Sequence, residues 1–509
     1  MYIEPGTNIR LLHNVPLDTS YEHTIYFSSA SAQSSYFIGL TKYSLASQTY
    51  QRVQRGRARV QYKADDLYDC NYMMFQNSNY GTKWFYAFIT GVEFVNNITS
   101  EITFEIDVMQ TWFFDCSPDY CFVEREHVDN DAIGSHIEPE PVSLGEYVMN
   151  GYTALGTALQ PLAVYVMIVD EDEDPNGTLY DGIYGGATLF AYNSDDVEGI
   201  KAKLGEYLQK PDAIVGMYMA PVIATGSVIP DGGKQIEYSD AAYTLSYSGD
   251  AITSGTALNG YVPKNNKLYT YPYSFFHIDN ASGAELNLRY EFFTDLTPKC
   301  DISVPMTMPI QCTLRPKGYK GSSDSTYNAE SISLTNYPMC SWSTDAFKAW
   351  LAQNAIPIGA ELIKSAAGGA IFGGIGGAVG GLVGGVANTL SQGYQASIQA
   401  DLSRGSINNG NGNVAAGKQL FYGGRASITQ DYAMMIDDFF TMYGYAVRRC
   451  KVPNRSARPH WNYVKTIGCC ITGSVPADDM RKICSIYDAG ITFWKNGNEV
   501  GNYSLNNSL

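Results

Sequence analysis

The sequence has few of the side chains on which most enzyme sites depend. It contains six histidines among 509 residues, and it has neither an HExxH zinc motif nor a GxSxG nucleophile motif. No spacing of cysteine and histidine indicates a catalytic pair. An enzymatic interpretation therefore has no motif to support it.

The chain also has few positively charged residues, and its N-terminus does not show the pattern of a targeting signal. The 34 lysines and arginines are outnumbered by 51 acidic residues, which gives a net charge of −17. Such a charge argues against broad binding to nucleic-acid phosphates, although an acidic surface could still guide DNA by repelling it. The N-terminus, MYIEPGTNIR, lacks a basic stretch followed by an apolar core, so we expect no secretory signal.

The ten cysteines show none of the dense spacing of a small secreted disulfide scaffold. We expect most of them to be reduced, half-buried thiols, as assembly in a cytosol would leave them. One metal-like series, Cys116-x4-Cys121-x5-His127-x8-His136, has a histidine spacing too long for a zinc finger. Folded thiols are therefore the favoured interpretation of these residues.

A long interval without charge is the most unusual absence. No charged residue occurs in the 36 positions between Lys364 and Asp401, where the overall composition would give about six. Glycines fall four apart, and larger apolar residues are offset from them by two, so a helix would carry small residues on one face. The residues of this pattern are Gly369, Ile371, Gly373, Ile375, Gly377, Val379, Gly381, Val383 and Gly385.

This glycine-patterned segment favours membrane activity over a stable helix in water. Ten glycines between Gly368 and Gly385 would cost about 8–10 kcal/mol of helix stability relative to alanine. As a helix, Ala366 to Leu390 would measure about 37 Å, which is enough to cross a bilayer core. The alternatives are a glycine-rich loop and a buried core helix. Residues Gly405 to Asn413 would follow as a polar stretch that acts as a hinge or remains disordered.

The rest of the chain predicts a β-rich α+β protein. Short aromatic and β-branched runs predict N-terminal strands, and Leu162–Val169 predicts a buried strand. Helices are expected at the following ranges: Asp196–Gln209, Ser343–Leu351, Asp437–Gly444 and Asp478–Tyr487. Further strands are expected at three ranges: Lys267–Phe276, Glu285–Phe293 and Ser303–Leu314. The turn from Asp170 to Asp181 has some calcium-loop spacing, but Pro175 replaces the required glycine, so an acidic hairpin tip is favoured.

Short aromatic-rich motifs occur in the same order at both ends of the chain. The N-terminal ones are Tyr72-Met73-Met74-Phe75-Gln76-Asn77, Tyr80-Gly81-x-Lys83-Trp84-Phe85-Tyr86-Ala87-Phe88, Phe104-Glu105-Ile106-Asp107-Val108-x-Gln110-Thr111-Trp112 and Val123-x-Arg125-Glu126-His127-Val128. The C-terminal ones are Trp461-Asn462-Tyr463-Val464-Lys465-Thr466, Gly490-Ile491-Thr492-Phe493-Trp494 and Gly501-Asn502-Tyr503-Ser504. These motifs resemble the tail knob proteins of small short-tailed bacteriophages of the Picovirinae type.

The resemblance implies a structural virion protein without cofactors or enzymatic activity. It implies that six copies form the distal tail tube through β-barrel-like domains from both chain ends, joined to an upper tube or collar. DNA would pass through the tube during ejection. The uncharged loops would plug the opening and later form a pore in the host cytoplasmic membrane, after assembly of the virion in the host cytoplasm.

The resemblance also suggests four domains and a set of lumen residues. The domains would be an N-terminal tube domain at 1–140, a middle domain at 141–340, the membrane-active loop and hinge at 341–417 and a C-terminal tube domain at 418–509. Glu101, Glu105 and Asp107 alternate with apolar residues and are expected to face the lumen. A basic patch from Arg448 to Arg458 is expected to form salt bridges with the acidic N-terminal domain or with a neighbouring molecule. A tail-associated cell-wall hydrolase and a constitutive membrane protein are the alternatives.

Overall fold

Strands rather than helices dominate the structure, because most buried stretches alternate apolar and polar residues or run as short apolar segments. The computed structural model describes residues 6–48, 56–77, 81–156, 162–170, 188–193, 196–207, 213–222, 228–236, 243–280, 283–304, 311–321, 330–334, 339–341, 407–408 and 420–509. The predicted β-rich α+β class is confirmed.

The chain forms two units, and each is assembled from separated parts of the sequence. Unit 1 comprises Met1–Gly145, Ser254–Leu268 and Thr429–Leu509. Unit 2 comprises Glu146–Thr253 and Tyr269–Ile428. Both chain ends therefore belong to one unit, together with a short connecting segment, Ser254–Leu268, from the middle of the chain.

Unit 1 contains strands from both ends of the sequence and four of the described helices. Its strands are β1 (Thr7–His13), β2 (His23–Ile25), β3 (Thr41–Gln48), β4 (Arg57–Val60), β5 (Cys70–Asn77), β6 (Phe85–Asn96), β7 (Thr99–Ile106), β8 (Cys116–Pro118), β9 (Cys121–Glu126), β24 (Tyr445–Lys451), β25 (Trp461–Ile467), β26 (Ile471–Gly473) and β27 (Ile491–Trp494). Its helices are α1 (Ala30–Gly39), α2 (Val108–Thr111), α4 (Gln430–Tyr443) and α5 (Ala477–Ala489).

The sheets of unit 1 join the two chain ends directly. A six-stranded antiparallel sheet has the order β3-β1-β5-β6-β7-β4, and a five-stranded sheet has the order β2-β27-β25-β9-β24. In the second sheet β2 pairs in parallel with β27, so that His23 lies opposite Thr492. Strand β9 lies between β25 and β24. Neither chain end can complete this sheet without the other.

The main core of unit 1 is also shared by the two ends. The rings of Phe37 and Tyr72 stack with centroids 5.3 Å apart, and they belong to the same buried cluster as Val464 and Phe493. Burial of a large apolar side chain contributes about 1.5–3 kcal/mol to stability. A second, smaller cluster on the six-stranded sheet includes Ile102.

Unit 2 contains the remaining described strands and one described helix. Its strands are β10 (Tyr147–Leu155), β11 (Leu162–Ile168), β12 (Thr188–Asn193), β13 (Ile214–Pro221), β14 (Lys234–Ile236), β15 (Tyr243–Ser248), β16 (Ser274–Asp279), β17 (Glu285–Leu288), β18 (Lys299–Val304), β19 (Cys312–Pro316), β20 (Ile332–Leu334), β21 (Met339–Ser341), β22 (Ile407–Asn408) and β23 (Phe421–Ile428), and its helix is α3 (Val197–Glu206). The sheet orders are β10-β23-β16-β17, β14-β12-β11-β13-β21-β22 and β15-β18-β19-β20.

Several elements agree with the sequence predictions. Strand β11 covers the predicted apolar run and is paired on both edges, by β12 and β13. Helix α5 ends at Ala489, before Gly490, as predicted. Helix α4 ends before Gly444, whose φ is +67°, and a Cβ at Gly444 would lie 2.2 Å from the carbonyl oxygen of Glu126. Glycine is required there both for its backbone conformation and for this close contact.

Other predicted strands are shorter than expected. The range Lys267–Phe276 begins with a turn of 3-10 helix at Asn266–Tyr269, and strand β16 starts only at Ser274. Proline at 272 cannot donate a ladder hydrogen bond, which explains why the strand does not begin earlier. Strand β17 ends at Leu288, and a 3-10 turn follows.

Several predicted features lie outside the described residues. These are the helix at Ser343–Leu351, the whole glycine-patterned segment and most of the acidic turn that follows Asp170. Among the residues that the structure describes, no helix is both long and apolar enough to span a bilayer. The four-domain division stays a prediction.

Candidate functional site

Strand β7 places two of the three predicted lumen carboxylates on one face. Because side chains alternate along a strand, Ile102 and Phe104 point into the smaller core while Glu101 and Glu105 lie on the opposite side. The Glu101 residue is half-buried, whereas Glu105 is exposed. Both therefore lie on the outer face that the sequence predicted.

These two carboxylates are paired with cations. Arg57 and Arg59 of β4 lie beside β7 and donate to the two oxygens of Glu101, at 2.8 and 3.0 Å. Their hydrogen bonds hold the pKa of Glu101 below its usual value. The Lys482 ammonium of α5 pairs with Glu105. Negative charge on this face is thus largely compensated by neighbouring side chains.

The third predicted lumen residue, Asp107, does not lie on that face, so this part of the prediction is wrong. Strand β7 ends at Ile106, and Asp107 is the 1% exposed N-cap of α2, accepting a hydrogen bond from the Gln110 N–H at 3.1 Å. It also accepts from the Tyr72 hydroxyl at 2.7 Å. Burial raises its pKa to about 6, partly offset by these hydrogen bonds. Its role is to begin a helix inside unit 1.

Two residues of the basic patch, Lys451 and Arg458, make the predicted contacts with acidic N-terminal residues. Lys451 pairs with the buried Glu126, which also accepts from the Asn454 N–H at 2.8 Å. Arg458 is 1% exposed, and its Nη2 lies 3.9 Å from a carboxylate oxygen of Asp131. Removal of one partner of a buried pair leaves an uncompensated charge, so these pairs hold the two chain ends in register.

A buried polar cluster fixes the connecting segment to α4. The carboxylate of Asp437 accepts from the Tyr261 hydroxyl at 2.6 Å and from the backbone N–H groups of Lys264 and Asn265 at 2.7 and 3.1 Å. The Asn265 side-chain amide adds a fourth bond at 2.8 Å. Burial raises the pKa of Asp437, and the four donors partly offset that effect. This contact could not be predicted from the sequence, because the partners are more than 170 positions apart.

His127 connects β9 to the C-terminal strands as a neutral imidazole. Its Nδ1 accepts from the Tyr463 N–H at 2.7 Å, so its Nε2–H donates to the Thr441 carbonyl at 3.0 Å. Burial and the nearby Arg458 lower its pKa to about 3. The same carbonyl accepts from the Trp461 indole at 3.0 Å. A proton on Nδ1 would point at the Tyr463 N–H, so the hydrogen bond between these two groups would be lost.

The metal-like series is not assembled into one centre. His127 is used as described, and the Nε2 of His136 bonds to the Asn130 carbonyl at 2.6 Å. Within the described ranges, no group of three or more His, Cys, Asp or Glu side chains is arranged to hold a metal ion. The calcium alternative falls mostly in residues outside those ranges.

Comparisons with protein families match both parts of the chain. Residues 237–508 match the model described as Bacillus phage phi29, tail knob protein gp9, C-terminal domain. Residues 5–117 match the model described as caudoviral major tail protein N-terminus. The first match spans more than half of the chain and includes α4, α5 and the C-terminal strands.

Full-length relatives and a solved structure agree with these matches. The chain is 26% identical to the tail knob protein gp9 of Bacillus phage phi29 and 25% identical to that of Bacillus phage B103, over 99% of each chain. The tail knob protein gp12 of bacteriophage C1 has a similar fold, with a TM-score of 0.62, 15% identity and 99% coverage of both chains. The resemblance seen in the aromatic motifs is confirmed, and the chain belongs to the family of the phage phi29 tail knob protein gp9.

Proposed function

We propose that six copies of this tail protein form the distal tube of a short-tailed phage, joined to the upper tail, and that DNA passes through it during ejection. The observation that carries the proposal is the similarity of residues 5–117 to the N-terminus of caudoviral major tail proteins. That region supplies the whole six-stranded sheet of unit 1. The relatives are named as tail knob proteins, which supports a structural rather than an enzymatic role.

The charge of the protein supports passage of DNA without sequence-specific binding. Six copies at −17 each would carry about −102, so a wall with its share of carboxylates would repel phosphates and keep the duplex moving. We keep Glu101 and Glu105 as proposed lumen residues. Their pairing with Arg57, Arg59 and Lys482 means that most of the repulsion would come from other carboxylates. Asp107 is excluded by its burial.

We further propose that the glycine-patterned segment plugs the tube and enters the host cytoplasmic membrane after release. It is apolar, uncharged and long enough to cross the hydrocarbon core as a helix. Its glycines would allow helices from several copies to approach closely in lipid, while its larger residues would contact the acyl chains. Poor helix stability in water suits this role, because the segment first plugs the tube and then has to leave the tube for the membrane.

Deletion of residues 360–413 tests the membrane proposal. Purified full-length protein is expected to release dye from liposomes, and the deletion variant is expected to fall to the leakage of buffer alone. A point variant, Val379→Asp, should slow release at least tenfold, because a charge at the centre of a membrane helix costs about 2.5–3.5 kcal/mol. Val379→Ala is the matched control and should release dye at a rate near that of the unaltered protein.

Assembly has to be followed in the same samples. The deletion variant should elute at the size of the assembled protein, so that loss of leakage cannot be attributed to loss of the oligomer. Leakage by the deletion variant equal to that of the full-length protein would refute the role of this segment. The same result would not affect the tube proposal, because the tube proposal depends on unit 1 and not on this segment.

A further inference from the structure

The hairpin formed by β6 and β7 ends in large apolar side chains that are exposed to solvent. Its turn lies at Asn97 and Ile98. Phe94, Val95 and Ile98 are 66%, 41% and 63% exposed, and they lie within five consecutive positions. Single apolar residues on a surface are ordinary, whereas a cluster of them is typical of an interaction site. We call these three residues the apolar tip.

The other end of the same hairpin contributes to a pocket with aromatic walls. The rings of Phe75 and Phe85 stack with their centroids 5.4 Å apart, and the Trp112 ring meets Phe85 edge to face at 6.1 Å. Together with Ile106 and Asp479, these rings line an open pocket of about 370 Å³. Pockets that bind ligands commonly have volumes of about 300–1,000 Å³ and mostly apolar walls. This aromatic pocket therefore suits an apolar side chain.

The apolar tip and the aromatic pocket are too far apart to meet within one molecule. Phe85 begins β6 and Ile106 ends β7, so both belong to the pocket end of the hairpin. Phe94 pairs with Ser100 at the tip end. Nine positions separate Phe85 from Phe94, which corresponds to about 30 Å of strand. Only a second copy of the chain can place its tip in this pocket.

The aromatic pocket carries charges of both signs. The Lys83 ammonium lies 3.6 Å from the centroid of the Trp112 ring and pairs with Asp115 at 2.6 Å. The carboxylate of Asp479 accepts a hydrogen bond from the Trp112 indole at 2.9 Å. A partner that enters this pocket would therefore meet a cation and a carboxylate beside the aromatic rings.

The hairpin tip carries a matching pair of charges. Glu93 precedes Phe94, its side chain is 61% exposed, and a carboxylate oxygen lies 3.6 Å from Nη1 of Arg57. A neighbouring copy would bring Glu93 toward Lys83 and Arg57 toward Asp479. Because these groups are partly exposed, such pairs would fix the orientation of the contact more than its affinity. This charge complementarity favours a second copy as the occupant of the pocket.

We propose that the apolar tip of one copy binds in the aromatic pocket of the next copy. Each copy offers one tip and one pocket, so the contact is head-to-tail, and its repetition generates a closed ring or a filament. Phe94 is the anchor, as aromatic side chains seated in pockets are typical of binding hot spots. The inference deepens the proposed tube and rests on that proposal for the number of copies.

Photo-crosslinking of the full-length protein tests the contact. A photoreactive benzoylphenylalanine replaces Phe94, and the assembled protein is irradiated as a mixture of isotopically labelled and unlabelled copies. Crosslinks between the two isotopic forms are expected, and they should join position 94 to peptides that contain Phe75, Phe85 or Trp112. The same probe in place of Tyr68, which is 90% exposed, is the matched control and should not link to these peptides.

Substitution of the anchor provides an independent measurement. Phe94→Asp should raise the protein concentration needed for half-maximal assembly at least tenfold in sedimentation velocity, because the apolar contact is replaced by a carboxylate. Phe94→Leu keeps an apolar side chain and should assemble nearly as well as the unaltered protein. Tyr68→Asp is the control for added surface charge and should also assemble normally. The exposed position of Phe94 should leave the unfolding midpoint of the separate subunits unchanged.

The outcomes separate this contact from the tube itself. Six-fold rings in which position 94 links elsewhere, or to nothing, would refute the contact and leave the tube proposal intact. Equal assembly of Phe94→Asp and Phe94→Leu would also refute the contact. Monomers of the unaltered protein at every concentration would refute both proposals. The two substitutions decide the matter even if the bulky probe prevents assembly.

Discussion

Replacement of Asp437 by alanine is expected to lower the free energy of unfolding of unit 1 by about 3–6 kcal/mol. The carboxylate is fully buried and accepts four hydrogen bonds, all of them from the connecting segment. The donors are the Tyr261 hydroxyl, the backbone N–H groups of Lys264 and Asn265, and the Asn265 side-chain amide. Alanine would leave these donors without their acceptor, and each buried unsatisfied donor costs about 1–3 kcal/mol. Relaxation of the surrounding structure and entry of water into the site reduce the total loss below the sum of these individual costs.

Hydrogen exchange locates the loss within the molecule. The amides of Lys264 and Asn265 donate directly to Asp437, so peptides covering residues 258–268 should exchange at least tenfold faster in the Asp437→Ala variant. Asp438→Ala is the matched control, because the neighbouring carboxylate is exposed and lies 3.6 Å from Lys264. Exposed pairs contribute about 0–1 kcal/mol. Equal unfolding midpoints and exchange rates in the two variants would show that Asp437 does not anchor the segment.

Acidification is expected to destabilise unit 1 through His127. Its pKa falls from the ordinary 6.5 to about 3 in the folded protein, so the unfolded chain binds a proton in this window and the folded chain does not. Stability that is present above pH 6.5 is therefore lost as the pH falls toward 3. Between pH 7 and pH 5 the loss from this residue should be about 2 kcal/mol.

Comparison with a variant separates His127 from other titrating groups. Asp107 acts in the opposite direction. Its pKa is raised to about 6 in the folded protein, so protonation of this carboxyl stabilises the folded state as the pH falls from 6 toward 4. His127→Asn should start less stable at pH 7 but lose about 2 kcal/mol less than the unaltered protein on going to pH 5. His460→Asn, at a half-exposed site beside Glu499, is the control and should keep the full loss. An unchanged pH dependence in His127→Asn would refute the assignment.

Much of the fold could be predicted from local patterns. Strand β11 followed from an uninterrupted apolar run, and the ends of α4 and α5 followed from the glycines that come after them. The lumen assignment of Asp107 was wrong because period-two alternation was extended one residue too far. The signal against it was present, since Asp107 and Gln110 have the spacing of an N-cap and the third residue of a helix.

The buried polar contacts could not be predicted, because they depend on pairings between distant residues. Nothing near Asp437 in the sequence indicates that it receives a segment from positions 261–265, and nothing near His23 indicates a parallel partner at Thr492. Such contacts follow from the topology and not from local propensity.

Negative-stain electron microscopy of the purified full-length protein tests the central proposal most directly. We expect rings with six-fold symmetry and a central opening, formed without other tail proteins. Monomers alone, or closed assemblies of another symmetry, would contradict the proposed tube.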